Sequence, residues 1–466
     1  MGVNMQSKYD VIIVGSGPAG IFAALELSRA TNLSILLLEK GRALQFRRCP
    51  IIGKNRSCPP CSPCDLVSGW GGAGAFSDGK LTLSPKVGGQ LEAYLGADKA
   101  AEFIHYVDDI YLMFGASNEV YGAGAGVEQL KKRAAEAGLK LIPAPIRHMG
   151  TEACREVLKE MHRFLADRIE SQTDTAAVSI IRQNGKIKGI RTDDGEVIES
   201  QYLIIAPGRE GADWLLKEAA SLGLTMHNNP IDVGVRVEVP LKVLEKLTDA
   251  LYEIKLEFRS LTYGDRIRTF CMCPTGEVTM ETTGGKDPVI TVNGHSYAHR
   301  KTANTNFALL VSASFSPPFR EPIGYGKYLA RLANIISGGV IVQRCGDLSQ
   351  GHRSTHDSIK EGQVQPTLKS ATPGDLGYVM PYRFLTGITE MLTAMDKLSP
   401  GVASPHTLLY GIEVKFYSLR LQLTNNLETE IPNLFAIGDG AGVSRGLIQA
   451  AASGVVAARE IIKRVS

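Results

Sequence analysis

The feature that most constrains this chain is a glycine-rich turn, Gly15-Ser16-Gly17-Pro18-Ala19-Gly20, which directly follows the apolar run from Asp10 to Val14. Residues 21–30 are rich in Ala, Leu and Glu, as in a helix, and a second apolar run at 35–38 ends in Glu39. Short apolar runs of this kind are typical of strands buried on both faces of a parallel sheet. The order strand, GxGxxG, helix, strand and acid predicts a dinucleotide-binding βαβ unit.

Each glycine and the acid of this unit have a distinct role. Gly15 permits the tight turn, Gly17 lets a pyrophosphate approach the backbone, and Gly20 lets helix and strand pack closely. The helix N-terminus presents a positive dipole end to the phosphates. Glu39 is placed to accept hydrogen bonds from an adenosine ribose and to repel a 2′-phosphate. The remaining members of this predicted site are Ser16, Pro18, Ala19 and Lys40.

A second element near the C-terminal end favours FAD over a nicotinamide cofactor. The apolar run at 433–437 leads into Gly438-Asp439-Gly440-Ala441-Gly442, and an Ala-rich helix is predicted from about Gly446 to Val465. A flavin dinucleotide has a ribityl chain whose hydroxyls need an acceptor such as Asp439. The helix N-terminus at Gly446, Leu447 and Ile448 would direct its dipole at the flavin pyrimidine edge.

A third element follows a stretch with two hairpin signals. Asn184-Gly185 and Asp194-Gly195 are turn pairs, and the apolar run from Tyr202 leads into Ala206-Pro207-Gly208. A strand followed by a tight turn would again bring backbone beside a cofactor. The three elements together resemble the two-part FAD site of glutathione reductase and para-hydroxybenzoate hydroxylase-like flavoproteins.

Longer strings extend the resemblance over nearly the whole chain. The chain is similar to a widespread family of prokaryotic FAD-dependent dehydrogenases, and the strings that carry this similarity are CPII (49–52), SGWGGAGAFSDGKL (68–81), GVRVEVP (234–240), VNGHSYA (292–298), PGDLGYVMPYR (373–383), EVKFYS (413–418) and AIGDGAGVSRGLIQAAASG (436–454). The resemblance implies an FAD-dependent oxidoreductase. By analogy with more distant relatives, it also implies that the glycine-rich segment at 68–80, including Gly71 and Gly72, lines the cofactor.

The predicted fold class is α/β. The cofactor elements near residues 15, 206 and 438 require a Rossmann-like FAD-binding domain that is assembled from discontinuous segments, 1–85, 145–215 and 405–466. Residues 216–404 contain β-branched runs and a helical stretch, which predict an inserted α+β substrate or cap domain. Residues 86–144 are expected to pack near this cap. No second GxGxxG follows a strand, so a separate NAD(P)H domain is not expected.

Four cysteines are concentrated in one short segment. Cys58, Cys61 and Cys64 have the spacing CxxCxxC, and Cys49 precedes them. Four interpretations stay open: an iron-sulfur cluster, a zinc site, a dithiol that exchanges electrons with the flavin, and a proline-stiffened loop with packed cysteines. A second pair, Cys271 and Cys273, has a spacing that is more typical of core packing in a strand.

Residues for substrate chemistry must come from the inserted domain. His295 is the first candidate proton donor or acceptor, and Arg268 is the first candidate for binding an anionic substrate. Arg236 is a further catalytic candidate. It lies two residues from Glu238 and shares a face with it on the expected strand, so a structural ion pair is an equal alternative.

Composition argues against two classes of binding partner. Lys and Arg number 51 and Asp and Glu 48, so the net charge of +3 gives no field for nucleic acid or an anionic membrane. The apolar runs are too short for a membrane helix, and we expect a cytoplasmic protein. The leading hypothesis is an oxidoreductase that acts on a small organic substrate, with an electron-transfer partner or a soluble acceptor. An FAD-binding redox sensor with a cysteine switch loop is the alternative, and a tRNA-modifying flavoprotein fits the charge less well.

Overall fold

The computed structural model describes residues 6–50, 61–227, 230–283, 288–296, 301–313, 321–415 and 420–466. Its strands are β1 (Lys8–Val14), β2 (Ile35–Leu38), β3 (Lys80–Thr82), β4 (Val120–Tyr121), β5 (Lys140–Leu141), β6 (Ile146–His148), β7 (Glu170–Gln172), β8 (Ala177–Gln183), β9 (Lys186–Thr192), β10 (Val197–Ile205), β11 (Met226–His227), β12 (Ile231–Pro240), β13 (Leu256–Arg259), β14 (Arg266–Cys273), β15 (Glu277–Thr283), β16 (Val289–His295), β17 (Asn304–Ala313), β18 (Ile341–Arg344), β19 (Thr372–Pro373), β20 (Leu408–Lys415), β21 (Arg420–Leu421) and β22 (Leu434–Ala436). Its helices are α1 (Pro18–Ala30), α2 (Leu91–Leu95), α3 (Ala97–Met113), α4 (Ala125–Glu136), α5 (Thr151–Ala166), α6 (Ala212–Leu222), α7 (Leu241–Leu251), α8 (Pro322–Ser337), α9 (Cys345–Ser349), α10 (His356–Lys360), α11 (Tyr382–Leu398) and α12 (Leu447–Val465).

Two compact units divide the chain. The first comprises residues 1–120, 145–227 and 418–466, and the second comprises residues 121–144 and 228–417. Each unit has its own core of buried apolar side chains. The predicted fold class is confirmed: an α/β unit with a Rossmann-like sheet is assembled from discontinuous segments, and an α+β unit is inserted into it.

The main sheet of the first unit is parallel at its centre. Strands β7, β2, β1 and β10 lie side by side in that order and run parallel. The C-terminal half of β10 pairs with β22, also in parallel, while its N-terminal residues pair with the antiparallel β9. The turn between β8 and β9 holds Asn184 and Gly185 at φ of 51° and 80°. Positive φ at both positions is the geometry of a type I′ hairpin turn, so this sequence signal is confirmed.

Helices α1 and α12 cover this sheet and contact each other closely. A Cβ atom on Gly454 of α12 would lie only 2.1 Å from the carbonyl oxygen of Ala19 in α1. The close approach therefore requires a glycine at this position. Because α12 begins directly after the loop that follows β22, this packing brings the C-terminal glycine loop to the N-terminus of α1.

Helix α3 explains why residues 86–120 belong to the first unit, whereas the sequence analysis grouped residues 86–144 with the cap. Its side chains Ile104, Val107 and Ile110 are buried in the core of the first unit. The Tyr106 hydroxyl donates a hydrogen bond to Glu26 of α1 at 2.5 Å. Apolar periodicity in α3 predicts a helix but does not identify the surface on which it packs.

The second unit is built on a mainly antiparallel sheet. Its strand order is β19, β18, β20, β12, β17, β14, β13 and β5. Strand β12 is central, with β17 and β20 antiparallel on its two sides. Strands β15 and β16 form a separate hairpin. Helices α7, α8 and α11 contribute buried side chains to the core of this unit, as an antiparallel sheet with flanking helices requires.

Candidate cofactor-binding site

The segment from the end of β1 to the first turn of α1 contains three glycines with different structural roles. Gly15 has a φ of 104°, and a Cβ there would lie 2.2 Å from the carbonyl oxygen of Ala206. A Cβ on Gly20 would lie 1.9 Å from the carbonyl oxygen of Gly15. Around Gly17, in contrast, no described atom would come within 4 Å of a Cβ. The fold therefore requires Gly15 and Gly20, whereas Gly17 borders open space.

Helix α1 begins beside this open space. Gly17 is its N-cap residue and Pro18 occupies the first turn, and no side chain caps the helix by a hydrogen bond. The N-terminal N–H groups of a helix need acceptors, and they attract anions. Ser16, Pro18 and Ala19 thus lie where the sequence analysis expected a phosphate.

Glu39 connects this loop to two others. Its Oε2 accepts hydrogen bonds from the backbone nitrogen and the hydroxyl of Ser16, each at 2.9 Å. Its Oε1 accepts from the backbone nitrogens of Gly41 and Gly69, again at 2.9 Å. Two carboxylate oxygens offer about four lone-pair positions, so these four donors satisfy the buried carboxylate. A ribose hydroxyl at Glu39 would have to share or replace one of these bonds.

Lys40, the next residue, interacts with a residue just after the turn Ala206-Pro207-Gly208. Its ammonium group forms an ion pair with Glu210. The same Glu210 accepts a hydrogen bond from the Ser68 hydroxyl at 2.9 Å. The Lys40 ammonium group is thus engaged by Glu210, and the side chain is partly exposed.

The glycine-rich segment at 68–76 packs directly on the first loop. The backbone nitrogen of Gly71 donates to the carbonyl oxygen of Ser16 at 2.8 Å, and a Cβ on Gly72 would lie 3.0 Å from Cα of Gly17. Both glycines have positive φ, 85° and 54°. Trp70 is only 1% exposed, and its Nε1 donates to the carbonyl oxygen of Leu158 at 3.1 Å. The indole therefore fixes this segment against α5.

Arg47 was not singled out by its sequence, yet it holds the same segment in place. Its side chain is 1% exposed, its Nε donates to the carbonyl oxygen of Asp65 at 2.9 Å, and its Nη1 donates to that of Trp70 at 2.6 Å. The guanidinium also lies 5.1 Å from the centre of the Phe76 ring. Burial lowers the pKa of Arg47 to about 10, which still leaves it charged at neutral pH. The local string RRCP gives no signal of this role, because both acceptor residues lie more than a dozen positions away.

The third loop, Ala206-Pro207-Gly208, follows β10. The backbone nitrogen of Ala206 donates to the carbonyl oxygen of Val14 at 2.8 Å, so the loop begins beside the end of β1. Gly208 has a φ of 63°, and no described atom would come within 4 Å of a Cβ there. Like Gly17, it borders open space.

An ion pair joins this third loop to the C-terminal one. Arg209 donates from Nε to Oδ2 of Asp439 at 2.9 Å, and Ser444 donates to Oδ1 of the same carboxylate at 2.6 Å. A Cβ on Gly440 would lie 2.4 Å from the carbonyl oxygen of Gly208. Sequence reasoning selected Asp439 but missed Arg209 and Ser444. The sequence did offer one signal for Arg209, since this charged residue directly follows the turn Pro207-Gly208.

The N-terminus of α12 completes the assembly. Gly446 is its N-cap residue without a side-chain cap. Leu447 approaches the glycine-rich segment, since its Cδ2 would lie 3.1 Å from a Cβ on Gly74. Ile448 is buried in the core of the unit, so only its backbone remains for a ligand. Gly438, with a φ of 74°, lies against Ala19 of α1. All four loops thus meet within the first unit.

The three candidates for substrate chemistry lie in the second unit. Arg236 is fully buried and pairs with Glu413 of β20 at 2.9 Å, while it also donates to Asn306 and to the carbonyl oxygen of Cys271. Glu238, its expected partner, instead accepts hydrogen bonds from Thr367 and Tyr410. The expected Arg236–Glu238 pair is therefore replaced by Arg236–Glu413, because β20 lies beside β12 in the sheet. This burial favours the structural alternative for Arg236.

Arg268 and His295 have more open surroundings. The Arg268 side chain is 20% exposed and forms an ion pair with the buried Asp232. Asp232 also accepts a hydrogen bond from Ser312 at 2.6 Å. His295 is exposed at the end of β16, opposite Glu277 in the hairpin. Within the second unit, Arg268 therefore pairs with Asp232, whereas His295 lies opposite Glu277.

The cysteine segment is only partly described. Cys61 is exposed, and Cys49 and Cys64 are partly exposed. Cys58 lies outside the described residues. Within the described part of the chain, no three His, Cys, Asp or Glu residues are grouped as a metal site would require. The four-cysteine site at Cys49, Cys58, Cys61 and Cys64 remains a prediction.

Two family models match the chain. Residues 230–416 match the model described as FAD-dependent protein, C-terminal domain-like, and residues 10–47 match the model described as FAD binding domain. Residues 10–47 and 230–416 thus resemble domains of FAD-dependent proteins. Because FAD takes up and releases hydride or electrons, an enzyme of this family is an oxidoreductase. The family that the sequence strings suggested is thereby confirmed.

Among known proteins, this chain is similar to an uncharacterized protein of Clostridium beijerinckii, with 28% identity over 97% of this chain and 80% of that protein. Among solved structures it is similar to 3-ketosteroid-delta4-(5alpha)-dehydrogenase from Rhodococcus jostii, with 13% identity, a TM-score of 0.44, and coverage of 99% of this chain and 97% of that one. L-proline dehydrogenase from P. horikoshii has 12% identity and a TM-score of 0.40, with coverage of 99% and 95%. At these TM-scores the likenesses carry no inference about substrate.

None of the helices in the described ranges combines the length and the apolar character that a membrane span needs.

Proposed function

We propose that this protein is an FAD-dependent oxidoreductase that dehydrogenates, or in reverse reduces, a small organic substrate. FAD, when bound, supplies an acceptor and donor of hydride or single electrons at its N5 edge. The protein's own tasks are to hold the cofactor, orient the substrate, balance its charge and move a proton. The observation that carries the proposal is the meeting of four glycine-rich loops within one unit.

The chemistry of these loops fits a dinucleotide. Gly17 and Gly208 border open space, while neighbouring glycines are enclosed by backbone. Two helix N-termini, those of α1 and α12, have no side-chain cap and are supplied with N–H donors. Asp439 has one protein donor on each oxygen and therefore keeps acceptor capacity.

We assign the following roles to the residues of the site. The pyrophosphate would lie along Ser16, Gly17, Pro18 and Ala19, and the adenosine ribose would share Glu39 with Ser16. Asp439 would accept from the ribityl hydroxyls. The full set proposed to contact FAD is Gly15, Ser16, Gly17, Pro18, Ala19, Gly20, Glu39, Lys40, Gly71, Gly72, Ala206, Pro207, Gly208, Gly438, Asp439, Gly446, Leu447 and Ile448.

For the substrate we retain Arg268 and His295 as candidates. A guanidinium binds a carboxylate bidentately, and a histidine transfers protons near neutral pH. Arg236 is not retained for contact with substrate, because it is fully buried and its donors are engaged.

We further propose an electron relay through Cys49, Cys58, Cys61 and Cys64. An iron-sulfur relay requires stoichiometric iron and acid-labile sulfide in anaerobically purified protein, whereas a structural site requires zinc. A purified flavoprotein without any of these metals would remove the metal relay and leave thiol chemistry or packing.

The cofactor site is tested by three glycine variants. Gly17 has a φ of −72°, which alanine adopts easily, and its Cβ would meet no described atom. Gly17→Ala should therefore fold normally but weaken FAD binding by at least about ten-fold, because the methyl group occupies the space for the cofactor. Gly126→Ala is the matched control, since Gly126 is exposed in α4 and its Cβ also meets no described atom. Gly15→Ala should lose stability even without FAD, because its Cβ would collide with Ala206.

The measurements are the flavin absorbance of the purified proteins, FAD released on denaturation, and thermal unfolding with and without added FAD. Unchanged FAD affinity in Gly17→Ala would contradict the assigned pyrophosphate position. A wild-type protein that binds no FAD would contradict the whole proposal. Anaerobic bleaching of the flavin absorbance then provides a direct assay for candidate substrates.

A further inference from the structure

Two thiols of the second unit, Cys271 and Cys273, lie close together in the last part of β14. Cys271 is partly exposed and Cys273 is buried, and both are reduced in the structure. The Cys273 thiol donates a hydrogen bond to the backbone carbonyl oxygen of Cys271 at 3.7 Å, and its side chain also interacts with the Cys271 thiol. A strand with ideal geometry would send both side chains to one face as packing groups, which is what the spacing alone predicted.

The strand is not ideal at this point. The register of β14 against β17 shifts between Phe270 and Cys273, so that one extra residue is accommodated. Cys271 has a φ of 45°, which is uncommon for a residue other than glycine. β-Bulges redirect side chains, and unusual backbone of this kind is concentrated at functional sites.

A fully buried cation lies against the bulge. Arg236 donates from Nη1 and Nη2 to the carbonyl oxygen of Cys271 at 3.0 and 3.2 Å. The hydrogen bond from Cys273, together with the charge of Arg236, lowers the pKa of the Cys271 thiol to about 6, against the opposing effect of burial. The nearby carboxylates Glu253 and Glu413 oppose this lowering, but each is paired with a lysine or with Arg236.

We propose that Cys271 and Cys273 form a redox-active dithiol, in which the partly exposed Cys271 reacts with a small hydroperoxide and the buried Cys273 closes a disulfide. The division of roles follows from exposure, since only the outer thiol is reachable by an oxidant. Neither cysteine is among the residues proposed to contact FAD or substrate, so this inference does not rest on the proposed activity.

The reaction balances with hydrogen peroxide as the oxidant. The Cys271 thiolate attacks one peroxide oxygen, the O–O bond breaks, and the released hydroxide takes a proton to become water. The resulting Cys271 sulfenic acid is attacked by the Cys273 sulfur, the S–OH bond breaks, and a second water leaves with the proton of the Cys273 thiol. Two thiols are thereby oxidised by two electrons to one disulfide, and one peroxide is reduced to two waters.

The first measurement uses the full FAD-loaded protein without any substitution. The reduced protein is treated with hydrogen peroxide, its remaining thiols are alkylated, and the tryptic peptide of residues 269–286, which contains both cysteines, is weighed. We expect it to take up two alkyl groups before treatment, and afterwards to take up none and to lose two hydrogens. Oxidation of Met272 or Met280, the two methionines of this peptide, would add mass and is therefore distinguished.

Alkylation rates without peroxide provide the matched comparison. Burial raises the pKa of the Cys345 thiol, and it raises that of Cys154 to about 12. At neutral pH Cys271 should therefore be alkylated at least about ten-fold faster than either. In Cys273→Ser, peroxide should leave a sulfenic acid on Cys271 that a dimedone probe captures, while Cys271→Ser should not react with the probe at Cys273.

Two results would overturn the inference. The first is a peptide that remains fully alkylated after peroxide treatment of the folded protein. The second is a disulfide that joins Cys271 to a cysteine other than Cys273. Retained flavin absorbance and unfolding temperature show in each case that the protein was folded.

Discussion

Ser16 donates two hydrogen bonds, from its backbone nitrogen and its hydroxyl, to the same oxygen of Glu39. The other oxygen of this carboxylate accepts from two glycine nitrogens in separate loops. Glu39 thus holds three loops of the proposed cofactor site together. This arrangement makes the charge of Glu39 important for the fold as well as for the cofactor.

We predict that Glu39→Gln lowers both stability and FAD affinity. A glutamine has one acceptor oxygen, and its amide would direct hydrogens toward N–H donors that already point inward. Leaving such buried groups unsatisfied costs about 1–3 kcal/mol in the free energy of unfolding. Chemical unfolding and FAD titration measure the two effects. Glu156→Gln is the control, since the exposed pair of Glu156 with Lys159 is worth at most about 0.5 kcal/mol. Equal effects of the two substitutions would contradict the role of Glu39.

Arg47 should be needed to hold the glycine-rich segment. Arg47→Met keeps much of the apolar volume but removes the donors to the carbonyl oxygens of Asp65 and Trp70. We expect the free energy of unfolding to fall by about 1–3 kcal/mol and FAD to dissociate faster. The exposed Arg163, replaced in the same way, provides the comparison. If FAD dissociates at the wild-type rate from Arg47→Met, the segment does not depend on this guanidinium.

A substitution of Arg268 can distinguish a structural role of this residue from a role in substrate binding. Arg268→Gln leaves the buried carboxylate of Asp232 without its cationic partner, and we expect a loss of about 1–3 kcal/mol. Arg266→Gln, two residues earlier on β14 and half exposed, should have little effect. Once a substrate is known, a fall in kcat/KM beyond the loss of folded protein would support binding of an anionic group. A wild-type kcat/KM in a folded Arg268→Gln protein would exclude it.

Stability should fall in mild acid because of His148. Burial lowers the pKa of this histidine below its ordinary value of 6.5. The folded state therefore binds fewer protons than the unfolded state when the pH falls below about 6.5, so the free energy of unfolding decreases there. Chemical unfolding at several pH values between neutral and mildly acidic measures this slope.

Replacement of His148 by Gln should make that slope shallower, while replacement of the exposed His352 should leave it unchanged. An identical slope in wild type and His148→Gln would show that other groups determine the acid sensitivity. The comparison is made on slopes because the substitution itself also changes stability at neutral pH.

Local patterns predicted the parts of this protein whose partners are near in sequence. The strand at 35–38 has the predicted bounds, and the helix from Gly446 begins one residue later than predicted. The steric need for glycine at positions 15 and 20 follows from the GxGxxG pattern because it arises within one short turn. The same holds for Asn184-Gly185, where two positive φ values require these residue types.

Partners that are distant in sequence could not be predicted. Arg236 pairs with Glu413, 177 positions away, because β20 rather than a neighbouring residue supplies the acid. The carboxylate of Glu39 is satisfied in part by Gly69, thirty positions away. A pattern identifies the face of a strand on which a side chain lies, but only the strand order determines which residues share that face.

The pairing of β22 with β10, and the contact of Gly454 with Ala19, have a consequence for synthesis of the protein. A ribosome that has translated the first four hundred residues has already produced Gly15, Glu39 and Gly208, but the sheet still lacks β22 and α1 still lacks its partner helix. The open edge of β10 and the uncovered side of α1 must wait for the residues after 433. The four loops of the proposed FAD site can therefore come together only after translation of nearly the whole chain, and on this proposal FAD would bind late.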